Sequence, residues 1–441
     1  MISIRRARLA GAFSVTGSGD LVGRLLLFAT VIVAGRMLAP EEFGRYVVIW
    51  AAAVSVAGLW DLGLSPLVTR EIASGRVGLV AALRRALALR LKTAWLWLLA
   101  TALACAATGL LSGFFSLAVL ATSLVIGFHL LLLAGLRAKL EFGPAAAALA
   151  GGRAVSFCVA VVAFTAADDS LPFLALGYFC GEVTTLLLAA AWLRPHWDAG
   201  GPAEEAGRDA TITLRAAAPL AVNSFLILAY NRLDVVIAAV FLSPIQLGFY
   251  AIASRMQDAL AVIPHAISTA LLPIISATGA GPRFVRECLG EALVLGLVVA
   301  LPALVLVQLT APQIVAMVFS AGAYPAAATP MRILAVSLVF MVLAAPFLTG
   351  LFARDHAPAT TIVYGAAFAT ALLLLPLFAL RWGATGAAIA TLCRDPVAVL
   401  LSIGLARRFG LTPAFAVPQV RWPIGLSRSP ALPPELPGGR R

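Results

Sequence analysis

The stretch LAPEEFGRY, residues Leu38–Tyr46, decides the fold because a second version of it occurs later in the chain. The second copy reads LSPIQLGFY, residues Leu242–Tyr250, and Leu, Pro, Gly and Tyr recur in it at the same spacing. Each copy is a short polar break between two long apolar runs, so the repeated unit is predicted to be helix, tight turn, helix. A repeat of this size in a hydrophobic chain predicts two similar lobes, although short turns between membrane helices favour Pro and Gly in any case.

The composition is that of a polytopic membrane protein. Hydrophobic residues make up 61% of the chain and charged residues 12%, with a mean hydropathy of +0.99, whereas roughly a quarter of an ordinary soluble protein is charged. The net charge of +12 does not indicate nucleic acid, because the arginines are scattered through the loops between apolar segments. The cysteines occur singly and have no metal-binding spacing, so neither a metal nor a cofactor is predicted.

The apolar segments predict an all-α fold with about twelve transmembrane helices, each of roughly twenty residues. Their continuous apolar character favours a helical bundle over a barrel, whose strands would alternate with period two. The predicted spans are 15–37, 42–68, 88–111, 114–136, 144–166, 171–193, 216–241, 246–275, 289–311, 328–352, 359–380 and 384–406.

Two six-helix lobes are predicted on either side of one polar break. The predicted divisions are an N-terminal lobe over 1–194, a cytoplasmic linker over 195–212, a C-terminal lobe over 213–407 and a disordered, basic, Pro-rich tail over 408–441. Because six is even, helix seven enters the membrane in the same sense as helix one, which predicts a pseudo-two-fold axis along the membrane normal. The two termini and alternate loops hold most of the arginines, so the positive-inside rule predicts that both termini are cytoplasmic.

Charged residues inside the predicted spans are the candidates for a substrate path. Each costs roughly 2.5 to 3.5 kcal/mol at the centre of a membrane helix, so we expect them to face a wet cavity or one another. The arginines expected to line a cavity are Arg24, Arg153, Arg232 and Arg255. The acids expected to bind a coupling ion or to pair with an arginine are Asp20, Glu182, Asp234 and Asp258.

Local ion pairs offer some of these charges a purely structural role. Asp20 and Arg24 are spaced i,i+4 and Arg255 and Asp258 are spaced i,i+3, so each pair can neutralise itself on one helix face. By contrast, Arg232 with Asp234, and Arg394 with Asp395, are predicted to be too close in sequence to face each other and to need partners elsewhere.

The passage GRMLAPEEFGRYVVIWAAAVSVAGLWDLGLSPLVTREIA, from Gly35 to Ala73, resembles the N-terminal signature of bacterial polysaccharide exporters of the O-antigen flippase type. These belong to the multidrug/oligosaccharidyl-lipid/polysaccharide exporter superfamily. Three further stretches agree with the resemblance: LRAKLEF at 136–142, NRLDVVIAAVFLSPIQLGFYAIASRM at 231–256 and GATGAAIA at 383–390. Related lipid II flippases carry two additional helices that this short tail is not expected to supply, which argues against that branch.

The resemblance implies a flippase that moves an undecaprenyl-pyrophosphate-linked oligosaccharide from the cytoplasmic to the outer leaflet of the bacterial inner membrane by alternating access, for exopolysaccharide or O-antigen synthesis. Arginines fit a pyrophosphate headgroup because a guanidinium fork holds phosphate oxygens with paired, charge-assisted hydrogen bonds. The expected partners are the lipid-linked substrate and membrane lipids, with a polysaccharide polymerase and co-polymerase as candidates and no nucleic acid.

Two alternatives from other functional classes remain open. A multidrug or cation antiporter of the same superfamily would need an acidic, cation-binding cavity. A membrane glycan polymerase or ligase would normally show a sizeable outer loop with catalytic residues, and the sequence has no such loop, no phosphate-binding glycine loop, no metal cluster and no nucleophile triad. The chain is therefore predicted not to be an enzyme.

Overall fold

The computed structural model describes residues 22–111, 113–166, 170–198, 212–276, 281–319, 322–354 and 356–414, and within these ranges the chain is helical with no strand. The helices in chain order are α1 (22–37), α2 (Pro40–Asp61), α3 (Leu64–Ala73), α4 (Leu79–Lys92), α5 (Ala94–Ala107), α6 (Gly113–Ala138), α7 (Phe142–Ala166), α8 (Ser170–Asp198), α9 (Leu214–Leu228), α10 (Asp234–Phe241), α11 (Pro244–Leu260), α12 (Val262–Ser276), α13 (Pro282–Val318), α14 (Ala328–Ala353) and α15 (Ala357–Arg408). A π-helical turn, Ala229–Leu233, joins α9 to α10.

The all-α membrane fold class is confirmed. In the described ranges, nine helical segments are long and apolar enough to cross a membrane, and the bent pair α4 and α5 brings the number to ten. This pair turns by 54°, so the predicted span 88–111 is not one straight helix. Helix α15 is 52 residues long and breaks at Gly383, whose φ of 59° and ψ of −139° are not helical. The break falls where the sequence predicts a boundary between two spans, while the total of twelve helices in two lobes stays a prediction.

The two copies of the repeated stretch form the same local structure. Helix α2 begins after Ala39 (φ −63°, ψ 157°) and α11 begins after Ser243 (φ −63°, ψ 154°). Each helix has a proline in its first turn, where the missing N–H costs no hydrogen bond. Since α1 precedes the first turn and α10 the second, the prediction of helix, tight turn, helix is confirmed for both copies.

Helix α2 lies at the centre of the bundle and α13 at its periphery. In the most apolar part of α2, 78% of the residues are buried, compared with 22% in α13. The largest core cluster joins residues of α2, such as Phe43 and Val47, to Tyr250 and Ile252 of α11. Large apolar side chains on α13, such as Leu309, are exposed. This arrangement suits a lipid surround, because the core forms between helices and apolar residues also face outwards.

The predicted lobes and linker are described only in part. Helix α8 continues to Asp198, four residues past the predicted end of the N-terminal lobe at 194. Most of the predicted linker, and the predicted tail from residue 415 onwards, lie outside the described residues. Asp20 also lies outside them, so its predicted pairing with Arg24 stays a prediction.

Candidate functional site

A cavity of about 900 Å³ lies between the helices, and residues of α1, α2, α7, α9, α11, α12, α14 and α15 line it. Its lining starts well away from the repeated turns. On α2 the first lining residue is Trp50, ten positions after Pro40, and on α11 it is Arg255, eleven positions after Pro244. At a rise of 1.5 Å per residue, the lining on α2 and α11 therefore begins about 15 Å from the turns, and on α1 it reaches Val31, about 10 Å from Leu38. A cavity of this volume is large enough for a small polar headgroup.

The bundle is closed at the end where the repeated turns lie, which we call the repeat end (residues 38–46 and 242–250). There Phe43, Phe319 and Tyr324 form a cluster of edge-to-face rings with centroids 6.0 to 6.4 Å apart. The Tyr324 hydroxyl donates a hydrogen bond of 2.7 Å to the carbonyl oxygen of Leu38. Because all three aromatic side chains are fully buried, the packing at this end separates the cavity from the space beyond the repeat end.

The cavity lining is strongly cationic. All four arginines that the sequence identifies line it, and of the three candidate acids in the described ranges, Glu182, Asp234 and Asp258, only Asp258 does so. The lining residues that carry charge are Arg24, Arg153, Arg232, Arg255 and Asp258. In a region of low dielectric constant, such an excess of positive charge attracts an anion and repels a cation. The arrangement is therefore suited to an anionic ligand.

Two of these arginines share one carboxylate. Nη1 of Arg232 lies 2.6 Å from Oδ2 of Asp258, and Nη1 of Arg255 lies 2.8 Å from the same oxygen. The structure thus contains the i,i+3 pair predicted for Arg255 and Asp258 and adds Arg232, which is 26 positions away from Asp258. Arg232 is in the π-helical turn between α9 and α10. Such turns change the direction of a side chain and are frequent at functional sites.

Trp50 is a lining residue that the sequence analysis did not single out. The centre of its ring is 4.6 Å from the Arg232 guanidinium carbon and 4.3 Å from that of Arg255. Contacts of this kind hold a guanidinium flat on an aromatic face. Trp50 follows Tyr46 by four residues, so both lie on one side of α2 below the repeated turn. That spacing is the only sequence signal for its position.

Arg153, another of the lining arginines, is held by a buried cluster whose Tyr178 ring lies 6.1 Å, centroid to centroid, from the Trp50 ring. Its Nη1 lies 2.8 Å from Oε1 of Glu182, and its guanidinium carbon is 5.6 Å from the centre of the Tyr178 ring. Nδ1 of His129 is 3.3 Å from Oε2 of the same carboxylate. Glu182 is 2% exposed and does not line the cavity. The Glu182 carboxylate therefore contacts Arg153 from outside the cavity lining. This position suits an ion-pair partner of Arg153 better than a binding site for a coupling ion.

Asp234, the third candidate acid that the structure describes, belongs to a buried polar cluster outside the cavity lining. The Tyr250 hydroxyl donates a hydrogen bond of 2.7 Å to Oδ2 of Asp234 and lies 2.9 Å from the Thr391 hydroxyl. In a second buried contact, Nε of Arg394 is 3.3 Å from Oδ1 of Asp395. The prediction that Arg394 and Asp395 cannot face each other was wrong, because the long arginine side chain reaches its sequence neighbour. Arg232 and Asp234 do find partners elsewhere, namely Asp258 and Tyr250.

No metal site is seen in the described part of the chain. Within those ranges, no group of three or more His, Cys, Asp or Glu residues has an arrangement that could hold a metal ion. Of the candidate acids that the structure describes, Asp258 and Glu182 form ion pairs and Asp234 accepts a tyrosine hydrogen bond.

Comparisons with known proteins give one family and several neighbours in fold. Residues 9–278 match the family model described as "Polysaccharide biosynthesis protein". No curated protein sequence matches the chain.

Several solved structures of membrane transporters resemble the chain in fold. Lipid II flippase MurJ in an inward closed conformation has a TM-score of 0.68 and 16% identity, covering 89% of this chain and 87% of that chain. An inward-facing multidrug resistance MATE family transporter of the MOP superfamily has a TM-score of 0.67 and 15% identity, covering 88% and 94%. A MOP superfamily transporter from Pyrococcus furiosus, described as having a binding pocket of reverse polarity, has a TM-score of 0.62 and 15% identity, covering 92% and 95%. At these identities the likeness shows the shared fold.

Proposed function

This chain belongs to the polysaccharide biosynthesis protein family, and from that premise we propose that it is a flippase for a polyprenyl-pyrophosphate-linked oligosaccharide. The observation that carries the proposal is the cavity lining, where the described residues include four arginines and one carboxylate. The family and the neighbours in fold are non-enzymatic transporters, which confirms the prediction that the chain is not an enzyme.

The arginines are proposed to replace the water that a diphosphate loses on leaving the cytoplasm. Guanidinium groups hold phosphate oxygens with paired, charge-assisted hydrogen bonds. Arg24 and Arg153 come from α1 and α7, while Arg232 and Arg255 come from the second half of the chain. A diphosphate in the cavity would therefore be held by residues from both halves, and its lipid tail would stay in the bilayer. This is the arrangement that alternating access of two lobes requires.

The membrane potential is proposed to favour export without ATP. Moving one elementary charge through 100 mV is worth about 2.3 kcal/mol, so two negative charges moving outwards across an inside-negative membrane gain about 4 to 5 kcal/mol. The proposal includes the bacterial inner membrane as the location, cytoplasmic termini, and a polysaccharide polymerase and co-polymerase as partners. The repeat end is proposed to lie at the outer face of the membrane. A structure closed at that end then has a cavity that faces the cytoplasm.

The test is translocation of a fluorescent polyprenyl-pyrophosphate oligosaccharide in proteoliposomes, with and without an imposed potential, beside efflux of a cationic dye. The wild-type protein should move the lipid-linked glycan, faster with the potential inside-negative, and should not move the dye. The double variant Arg24→Ala/Arg255→Ala should lose at least nine-tenths of the activity. A tenfold loss corresponds to about 1.4 kcal/mol of binding free energy. Arg283→Ala is the matched control, since the side chain of this arginine on α13 is 93% exposed and, among the described residues, forms its ion pair with the neighbour Glu287.

Two outcomes would overturn the proposal. In the first, the glycan does not cross and the dye does, with a dependence on protons or sodium; the chain would then be a cation antiporter. In the second, the Arg24→Ala/Arg255→Ala variant transports the glycan as well as Arg283→Ala does, which would leave the cavity arginines without a role.

A further inference from the structure

Asp258 occupies the position from which an anionic ligand would contact Arg232 and Arg255. A single oxygen of this carboxylate, Oδ2, lies within 2.8 Å of a guanidinium nitrogen of each arginine. The Asp258 side chain is 35% exposed and lines the cavity, unlike the buried Glu182 behind Arg153. A ligand oxygen that binds both guanidinium groups at once must therefore compete with Oδ2 of Asp258.

Arg255 has unused hydrogen-bonding capacity at this point. Its side chain is 5% exposed, and within the described part of the chain its Nε and Nη2 atoms are buried without a hydrogen-bond partner. A buried guanidinium N–H without a partner is unfavourable, so most such groups in proteins are paired. The flat face of the guanidinium rests on Trp50, and the unpaired N–H groups lie at its buried edge. A ligand with several acceptor oxygens that moved Asp258 aside would satisfy them.

We propose that Asp258 is an internal counter-anion, which neutralises the pair Arg232 and Arg255 when the cavity is empty and is displaced by the diphosphate when substrate binds. The proposal rests on the proposed function and adds the regulation of the same site. Two adjacent arginines with no anion are costly in a region of low dielectric constant, so the empty carrier needs the carboxylate while it returns. The diphosphate brings more negative charge and more acceptor oxygens than one carboxylate, so it can replace Asp258.

This exchange lets the site bind its ligand and also release it. With Asp258 present, part of the attraction between the arginines and the diphosphate is offset by the loss of the internal ion pairs. Without the carboxylate, the diphosphate binds more tightly and leaves more slowly. Asp258 is thus a positioning residue for Arg232 and Arg255 that lowers affinity and raises turnover.

The experiment measures binding of farnesyl diphosphate, with farnesol as the uncharged comparison, to purified protein in nanodiscs. The variants are Asp258→Asn, Asp258→Glu and the control Glu287→Gln, which removes the carboxylate that pairs with an exposed arginine on α13. Asp258→Asn should bind farnesyl diphosphate about tenfold more tightly, which corresponds to one charge-assisted hydrogen-bond partner released to the ligand. Farnesol binding should not change. Asp258→Glu and Glu287→Gln should remain within about threefold of wild type.

Turnover separates this role from a purely structural one. In the proteoliposome assay, Asp258→Asn should lower the half-saturating concentration of substrate and also lower the maximal rate, because release and the return of the empty carrier become slower. A structural brace would instead lower the amount of folded protein and leave the affinity of the remaining protein unchanged or weaker. That second result would overturn the proposal.

A structure of the wild-type protein with farnesyl diphosphate keeps the proposal falsifiable if Asp258→Asn does not fold. In it, Asp258 should have left both guanidinium groups, and diphosphate oxygens should bind Nε or Nη2 of Arg255. An intact contact of Asp258 with both arginines beside a bound diphosphate would overturn the proposal. Wild-type protein that binds farnesyl diphosphate no better than farnesol would instead overturn the proposed function, and this inference with it.

Discussion

Gly44 and Gly248, the glycines of the two repeated turns, lie backbone against backbone. A Cβ atom on Gly44 would be 3.0 Å from the backbone nitrogen of Gly248, and a Cβ atom on Gly248 would overlap the carbonyl oxygen of Pro40. Because the missing side chains allow this approach, the first turns of α2 and α11 close the bundle at the repeat end. Equivalent positions of one sequence repeat therefore form the contact that closes one side of the cavity.

Valine at position 248 should open the repeat end. Its side chain cannot fit against Pro40, so α2 and α11 must move apart there, and conformations open at that end gain population. Spin labels at Glu41 and Ile245 in a cysteine-free background should show longer distances in Gly248→Val than in the parent protein. Gly404→Val is the control, because Gly404 is also helical but has open space around it. Unchanged distances in folded Gly248→Val would contradict the role of this contact.

Glu182→Gln should destabilise the protein, because Arg153 would lose its buried counter-charge. Removing one partner of a buried ion pair costs about 3 to 5 kcal/mol, whereas replacing both partners by apolar residues is often close to neutral. The double variant Arg153→Met/Glu182→Met should therefore unfold at a higher temperature than Glu182→Gln. It should still fail to transport, since the cavity has lost an arginine. Thermal unfolding in detergent and the proteoliposome assay measure the two effects, and a double variant no more stable than Glu182→Gln would refute the first.

Arg90 should be required for folding rather than for transport. It is fully buried on α4, with Nη2 2.5 Å from Oδ1 of Asp61 at the end of α2 and Nη1 bonded to the carbonyl oxygen of Gly127 on α6. It also lies over the Trp60 ring at 5.1 Å. Arg90→Met should lower the free energy of unfolding by about 3 to 5 kcal/mol, because Asp61 keeps its hydrogen bonds from Ser65 but loses its counter-charge, and the Gly127 carbonyl loses the Arg90 donor.

The measurement for Arg90 is thermal unfolding beside transport per folded molecule at a permissive temperature. The folded fraction of Arg90→Met should transport normally, because Arg90 does not line the cavity. Arg283→Met, at an exposed arginine, should change neither quantity. Lost transport in protein that is as stable as wild type would show that Arg90 has a direct part in the substrate path.

Alanine should have opposite effects at two glycines of α15. Gly383 has a φ of 59° and a ψ of −139°, which a residue with a side chain strongly disfavours, and a Cβ atom there would collide with the side chain of Gln246 on α11. Gly383→Ala should therefore cost about 1 to 3 kcal/mol of stability. Gly404→Ala lies in a regular, open part of the helix and should gain about 0.5 to 1 kcal/mol. Thermal unfolding of the two variants measures both effects. A Gly383→Ala variant as stable as wild type would contradict the expected backbone strain at this position.

The cavity arginines were predictable because each one could be recognised from the apolar residues that surround it in the sequence, without knowledge of its contacts. A charge within a run of about twenty apolar residues is costly wherever it faces lipid, so Arg24, Arg153, Arg232 and Arg255 could be assigned to a protein or water surround before any contact was known. The turn at Pro40 and its copy at Pro244 were predictable for a similar reason, since proline and glycine at fixed spacing determine local backbone geometry.

The sequence by itself determined the membrane class, the repeated turn and the set of candidate charges, because these follow from composition and from residues close together in the chain. Local spacing also predicted the pair Arg255 and Asp258, whereas only the tertiary structure decided which charges meet across helices. Asp258 takes Arg232 as a partner from another helix, and Trp50 lies against both arginines, while Asp234 is bonded by Tyr250 outside the cavity lining. Those contacts depend on how far each helix is rotated about its axis and where the π-helical turn displaces Arg232, and spacing along one helix carries no information about either.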